Sequence, residues 1–346
     1  MKTDKIIFFG NNKYDYKLFE DNILFLPFFD YSNKPNIILK TWSYFISIVN
    51  ICLKLVKHKP KIIHIQWVKF WLVDFAFLIL LKLFKIKIIY TAHNILPHES
   101  KRIDFFKYYF YYKFTDRIIV HSFSTKKELL LKFKLESNKI KVIKHGVLDL
   151  DLDLSLVEKE KEKILENLNL KGKIVFSVLG YQSLYKGCDL IAAVWSGIKE
   201  LHDSEKYQLI IWGKNKGVDY SSLYNIGNVN IRDEYISNEE FGAVIKTTSI
   251  LLMPYKVISQ SGLLFTAINE NKPVIVSDVG GISEPLKYGN IGVIMEDYST
   301  SGLFFAMEKI VINLKNGIYK DEEFEKVKKE YSWEKISNET ELVYFN

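Results

Sequence analysis

Short, nearly continuous apolar runs alternate along this chain with longer stretches in which apolar side chains recur every three or four positions. In the first half the runs are Ile6–Phe9, Ile23–Leu26, Ile62–Gln66, Ile86–Thr91, Arg117–His121 and Ile140–Lys144. In the second they are Ile174–Leu179, Gln208–Trp212, Val229–Arg232, Ile250–Met253, Val274–Ser277 and Gly292–Met295. Apolar runs of this kind read as strands covered on both faces, and their alternation with helical patterns predicts parallel sheets wrapped in helices. The pattern runs twice, so two doubly wound α/β domains are expected. Between them Leu148–Lys171 begins with alternating Asp and Leu and continues into a charged helix, Glu158–Asn167. That stretch reads as a linker and entry helix, placing one domain at 1–150, a second at 151–325, and a cleft between them.

Two helical stretches, Trp42–Val56 and Phe70–Phe84, are almost wholly apolar. Each is about 15 residues long, short of the roughly 20 that cross a bilayer. Asp74 interrupts the second. Both are therefore expected to pack on a sheet. A third segment, Lys101–Lys113, mixes bases with seven aromatic side chains. That composition suits a helix lying at a bilayer interface and equally one lining the edge of a core.

The chain has 346 residues, 48% of them apolar, enough for a large core and two domains. The net charge of +7 hides an asymmetry: residues 1–150 hold 26 Lys and Arg against 12 Asp and Glu, and the remainder holds 22 against 29. A basic first half points to an anionic partner: membrane phospholipid, a pyrophosphate-bearing molecule or nucleic acid. Lysine richness also follows from genome composition, so charge alone does not name the partner. With no zinc-finger spacing, RNP-like motif or basic zipper, nucleic acid is not expected. Cys52 and Cys188 stand far apart, which argues against a disulfide framework or a structural zinc and fits a reducing cytoplasm. The first residues lead into too few apolar positions for a signal peptide, so export is not expected.

Candidate chemistry gathers where strands end. After Ile250–Met253 the chain turns at Pro254, and Ser259-Gln260-Ser261-Gly262 opens a helix. Such an end offers unpaired amides and the positive pole of the helix, a natural seat for phosphate. Gly262 lets an anion approach its backbone, and Gly280-Gly281 after the next strand would leave room on a second wall. His93 and Asn94 follow the strand Ile86–Thr91 at its carboxyl edge. His98 and Glu99 share that loop but make poor metal geometry without a further ligand, so no metal is expected. Lys186, in the loop after Leu179-Gly180, can neutralise a diphosphate leaving group.

In order, Thr91-Ala92-His93-Asn94, Ile140–Gly146, Gly180-Tyr181 with Tyr185-Lys186-Gly187, Ile210–Gly213, and Pro254-Tyr255 through Ser259–Gly262 to Pro273–Glu284 resemble the landmarks of family 4 glycosyltransferases with the GT-B fold. Tyr331–Lys335 resembles the closing helix of that family, which implies that 326–346 returns to the first domain. The resemblance implies two Rossmann-like domains, an acceptor on the first and a nucleotide sugar on the second. It implies retention at the anomeric carbon, with UDP- or GDP-linked donors as co-substrate and neither a cofactor nor a metal. It places His93 beside the transferred sugar and Lys186 on the diphosphate. Gly262 and Leu263 would offer amides, Glu284 would lie near the sugar or nucleotide, and Gly180, Ser183, Gly213, Ser261 and Thr266 would line the donor site. Asn94, His98 and Glu99 would face the acceptor. Two positions depart from the pattern: Ser183 stands where relatives often carry Arg, and Ile258 or Ser259 with Thr266 stand where many carry two Glu. The expected activity is sugar transfer to a glycan on a polyprenyl-diphosphate carrier, for capsule, exopolysaccharide or lipopolysaccharide assembly, by a cytoplasmic protein held peripherally at the plasma membrane. A protein acceptor, a binding pseudoenzyme with an eroded donor site, and a sugar-nucleotide epimerase are the alternatives. The last lacks a suitably placed carboxylate pair.

Overall fold

The computed structural model describes residues 6–11, 23–96, 101–148 and 152–345. These form two compact units, one drawn from Met1–Val120, Lys126–Ile143 and Ser337–Asn346, the other from His121–Thr125 and Lys144–Ile336. The pattern-based boundaries at 150 and 326 stand beside structural ones at Ile143 and Ser337.

In the first unit β1 (Ile6–Asn11) pairs in parallel with β2 (Ile23–Phe29). Helix α1 (Ile37–His58) follows, then β3 (Ile62–Ile65), α2 (Trp71–Leu83), β4 (Lys87–Thr91), α3 (Arg102–Phe114), β5 (Arg117–Val120), α4 (Phe123–Phe133) and β6 (Ile140–Val142). Strands β3 to β6 form one parallel sheet in sequential order. Side chains of α2, α3 and α4 share one core with Ile88, Ile118, Val120 and Ile140, which puts these helices on the same face of the sheet. Ile88, Ile118 and Val120 of the sheet are completely buried together with Leu78, Leu81 and Tyr112 of the helices.

Helix α1 is longer than its apolar pattern predicts. The expected Trp42–Val56 becomes 22 residues, because the Asn36 side chain accepts the Leu39 amide at 2.9 Å and starts the helix five residues earlier. It reaches spanning length, correcting the expectation that it is too short, yet Tyr44, Ser47, Ile48, Ile51 and Leu55 are buried in the unit. Asp74, the apparent interruption of the second apolar stretch, holds this arrangement together. Its carboxylate accepts the Lys69 and Phe70 amides at 2.9 and 2.8 Å, capping the entry to α2, and the Tyr44 hydroxyl of α1 at 2.6 Å. The aromatic segment makes α3, whose Tyr111 and Tyr112 are buried while Ile103, Phe106 and Phe110 face out. Core edge and exposed aromatic surface thus occupy opposite sides of one helix.

The second unit begins with α5 (Leu154–Asn167), four residues ahead of the predicted start because Asp153 accepts the Ser155 and Leu156 amides. It continues through β7 (Ile174–Leu179), α6 (Cys188–Gly197), β8 (Tyr207–Trp212), β9 (Val229–Arg232), α7 (Asn238–Thr247), β10 (Ile250–Met253), α8 (Gly262–Asn269), β11 (Val274–Val276), β12 (Gly292–Ile294), α9 (Thr300–Lys315), α10 (Asp321–Glu330) and α11 (Trp333–Phe345), whose later residues, from Ser337, belong to the first unit. Its six parallel strands run β12-β11-β10-β7-β8-β9. This is the doubly wound order with its reversal between β7 and β10. Side chains alternate along each strand between two cores. Val175 and Leu179 join α5, α7, α8 and α10 on one side, and Phe176 and Val178 join α6 and α9 on the other.

Removing the Asp74 carboxylate strands three donors. Asp74→Ala is expected to cost about 3 kcal/mol or more, and Tyr44→Phe only about 1, in urea unfolding. Burial pushes the Asp74 carboxyl above its ordinary value. A raised folded-state pKa gives stability that is full in acid and lost as pH rises through that value. Asp74→Asn is therefore expected to gain on the wild type as pH rises above about 4, the ordinary carboxylate value; a pH-independent difference would contradict this.

Candidate active site

The reversal between β7 and β10 brings together most of the second unit's candidate residues. Gly180 (φ 82°) ends β7, a single 3-10 turn carries Leu184–Lys186, and Gly187 (φ 73°) starts α6. A methyl group at Gly187 would stand 2.0 Å from the Pro254 carbonyl, so only glycine lets this turn lie against the end of β10. Lys186 Nζ lies 3.5 Å from where a β-carbon on Gly180 would be, and 5.9 Å from the Tyr255 ring centre. The Tyr255 hydroxyl is in turn 3.5 Å from Ser261 Oγ, at the start of α8. Lys186 and the amino end of that helix thus both border Tyr255. Among the described residues no carboxylate pairs with it, and burial pushes its ammonium pKa down. A partly buried cation without a counter-ion favours an incoming anion.

Ser261 precedes α8 without a side-chain cap hydrogen bond, so its hydroxyl does not satisfy the first amides of the helix. Gly262 keeps some of the expected room: a β-carbon there would meet only the tip of Leu148, at 3.2 Å. The second wall differs from expectation. At Gly280 (φ 56°) a β-carbon would fall 1.6 Å from the Ile258 carbonyl, and at Gly281 2.5 Å from Ser122 Cβ. The chain itself fills the space expected for an anion at Gly280-Gly281.

The remaining donor-side residues are held as follows. A β-carbon on Gly213 would sit 2.1 Å from the Gly180 carbonyl, so Gly213 allows two strand ends to approach; its own carbonyl accepts from the side-chain Nε2 of buried Gln182 at 2.8 Å. Ser183 is buried, with its carbonyl accepting the Lys186 amide. Thr266 is also buried and its hydroxyl donates to the Gly262 carbonyl within α8. Glu284 opens a 3-10 turn, buried, with Oε1 accepting the Ser124 amide at 3.0 Å.

In the first unit His93 follows β4 and is framed by the end of β3. Its ring stacks on Trp67 with centres 4.4 Å apart and planes 12° from parallel. Its Nε2 is 3.0 Å from Gln66 Oε1, and Gln66 Nε2 is 3.2 Å from His64 Nε2. His64 reaches Thr91 Oγ1 and the Tyr344 hydroxyl of α11, each at 2.7 Å. In one assignment Gln66 accepts from His93 Nε2–H, His64 donates Nδ1–H to Tyr344, and the single Nε2 lone pair of His64 is shared by the Thr91 hydroxyl and the Gln66 amide. Burial pushes the Tyr344 hydroxyl up to about 12. Asn94 sits half-buried in the turn beyond His93. His98 and Glu99 lie outside the described residues. The sequence reading named His93 but missed Gln66, Trp67, His64 and Tyr344. Gln66 and Trp67 carried a usable signal, since they end the strand adjacent to His93's own.

Residues 20–149 match the model of Glycosyltransferase Family 4. Over 262 residues the chain is 22% identical to an uncharacterized glycosyltransferase of Methanocaldococcus jannaschii, an alignment covering 71% of this chain and 64% of that protein, under two thirds of the relative's length. Sucrose-phosphate synthase from Thermosynechococcus elongatus superposes with a TM-score of 0.64 at 18% identity, covering 87% of this chain and 78% of that one. Anabaena HepE, solved in complex with UDP-glucose, superposes with a TM-score of 0.66 at 13% identity, covering 87% and 82%. The fold is that of GT-B glycosyltransferases, two Rossmann-like units built on parallel sheets.

Gly187→Ala is expected to lower unfolding stability by more than about 1 kcal/mol, since a positive φ and a carbonyl contact both oppose a side chain. Gly172→Ala is the companion, also at positive φ (80°) but with open space around it. It should cost less, and equal losses would show that the contact with Pro254 is unimportant.

Proposed function

We propose that this protein is a retaining glycosyltransferase that moves a sugar from a UDP- or GDP-linked donor to a lipid-linked glycan, without a metal, in cell-surface polysaccharide assembly. The observation that carries the reading is Lys186, without a carboxylate partner among the described residues, bordering Tyr255 together with the uncapped amino end of α8 at the sheet reversal. A glycosyl donor reacts when its C1–O bond to the diphosphate breaks. The sugar becomes oxocarbenium-like, and the departing diphosphate gains charge that a fixed cation and helix amides stabilise. Lys186 and the Gly262 and Leu263 amides take that part, so no carboxylate nucleophile is needed. To His93, held by Gln66 and Trp67, we assign the role of orienting the transferred sugar. The HepE structure with UDP-glucose supports a nucleotide sugar as donor. The basic first half supports an acceptor bearing pyrophosphate, and a peripheral location at the cytoplasmic face of the plasma membrane.

Calorimetric titration with UDP and GDP is expected to find one tight ligand. Lys186→Ala should weaken it at least tenfold and lower the transfer rate by about 10²–10³ with little change in melting temperature. Binding needs the charged ammonium, and its pKa in the free protein is depressed. Affinity should therefore start to fall at a pH below the ordinary lysine value near 10.4. Labelled nucleotide sugars incubated with protein and membrane lipid extract should yield organic-soluble label. A labelled polypeptide would instead show a protein acceptor, and no transfer from any common donor would overturn the assignment.

A further inference from the structure

His64 is the one polar residue of β3, whose other members are isoleucines. On one side its Nδ1 is 2.7 Å from the Tyr344 hydroxyl in the last turn of α11, with the two rings edge to face at 5.6 Å. On the other its Nε2 is 2.7 Å from Thr91 Oγ1 and 3.2 Å from Gln66 Nε2. The last turn of α11 is held against this sheet a second time, because Lys87 at the start of β4 donates to the Val343 and Tyr344 carbonyls at 3.2 and 2.9 Å. Tyr344 thus has a fixed place in the first unit. With its pKa pushed up to about 12 by burial, its hydroxyl stays protonated across the neutral range.

A neutral imidazole has one donor nitrogen and one acceptor nitrogen, so the proton on His64 has two possible positions. When Nδ1–H is donated to Tyr344, Nε2 accepts, and the Gln66 amide turns its NH2 group toward His64. Gln66 Oε1 then faces His93 Nε2 at 3.0 Å, which makes Nε2 the protonated nitrogen of His93. This is the arrangement in which Gln66 stands. When the proton is on Nε2 instead, His64 donates to Thr91 and sets N–H against N–H at Gln66. The amide then turns over, occupying the same space, and His93 Nε2 becomes the acceptor. The His93 ring itself is held by its stack on Trp67, so the two histidines are coupled through one exposed amide.

We propose that Tyr344 is a positioning residue that sets which nitrogen of His93 carries the proton, acting through His64 and Gln66. A phenylalanine at 344 removes the acceptor of His64 Nδ1–H, whereas Thr91 still accepts from Nε2–H, so the proton moves and both later links reverse. The consequence for transfer rests on the role proposed above for His93; the proton position can be read without it.

The full-length protein, carrying nitrogen-15 histidine, is measured by long-range proton–nitrogen correlation NMR well above the ordinary histidine pKa of about 6.5, where imidazoles are neutral. The His93 signal is identified by its loss in His93→Gln. Wild type is expected to carry the His93 proton on Nε2, and Tyr344→Phe to carry it on Nδ1. Tyr344→Phe with Gln66→Glu should return it to Nε2, because a carboxylate only accepts. Lys87→Gln removes a different contact of the same helical turn and should leave the proton where it is. In the lipid-extract assay Tyr344→Phe should lower kcat about tenfold with the donor KM unchanged. A His93 proton on Nδ1 in the wild type, an unchanged position in Tyr344→Phe, or an equal shift in Lys87→Gln would each overturn the proposal. A shift in Tyr344→Phe without a change in kcat would leave the coupling standing and remove His93 from the reaction.

Discussion

A parallel strand covered by helices on both faces has nowhere to display polar chemistry except beyond its carboxyl end. That constraint arranges this protein. His93 follows β4 and Gln66 and Trp67 follow β3, while Gly180 and Gly213 follow β7 and β8 and Tyr255 follows β10. Along the strands themselves Ile88, Ile118, Leu209, Ile250 and Ile275 are completely buried. Each unit thus carries its polar cluster at one edge of a sheet whose middle is closed to solvent.

The two clusters are built differently. In the second unit a cation has no carboxylate partner among the described residues and shares Tyr255 with a helix end that its preceding serine does not cap, and burial disfavours the cation's charge. Electrostatics there is unsatisfied and suits a ligand that arrives negatively charged. In the first unit every named group finds a partner: His93 with Gln66 and Trp67, Gln66 with His64, His64 with Tyr344. That network fixes the orientation of the ring bearing His93 Nε2. One cluster is suited to receiving charge and the other to holding a position.

Polar groups inside the first unit follow the same accounting. Asp74 is expensive to bury, and three donors compensate it. By joining α1 to the start of α2 it commits one face of α1 to the core, and that commitment sends the other apolar face outward.

Strand order along the chain, the helices between them, the doubled α/β pattern and the glycine and lysine landmarks at strand ends were all readable from residue order, because periodicity and backbone freedom are local properties. Helix ends were less so: one hydrogen bond from Asn36 lengthened α1, and Asp153 moved the start of α5. What lay beyond reach were facts that depend on distant residues meeting. The Ile258 carbonyl fills the space at Gly280, Ser122 fills it at Gly281, and Tyr344 completes a chain that begins at His93. Apolar periodicity says that a face is greasy but not whether anything covers it. Only folding revealed that α1 turns one such face to the core and the other to solvent, since burial is a property of the neighbours a residue acquires and not of the residue.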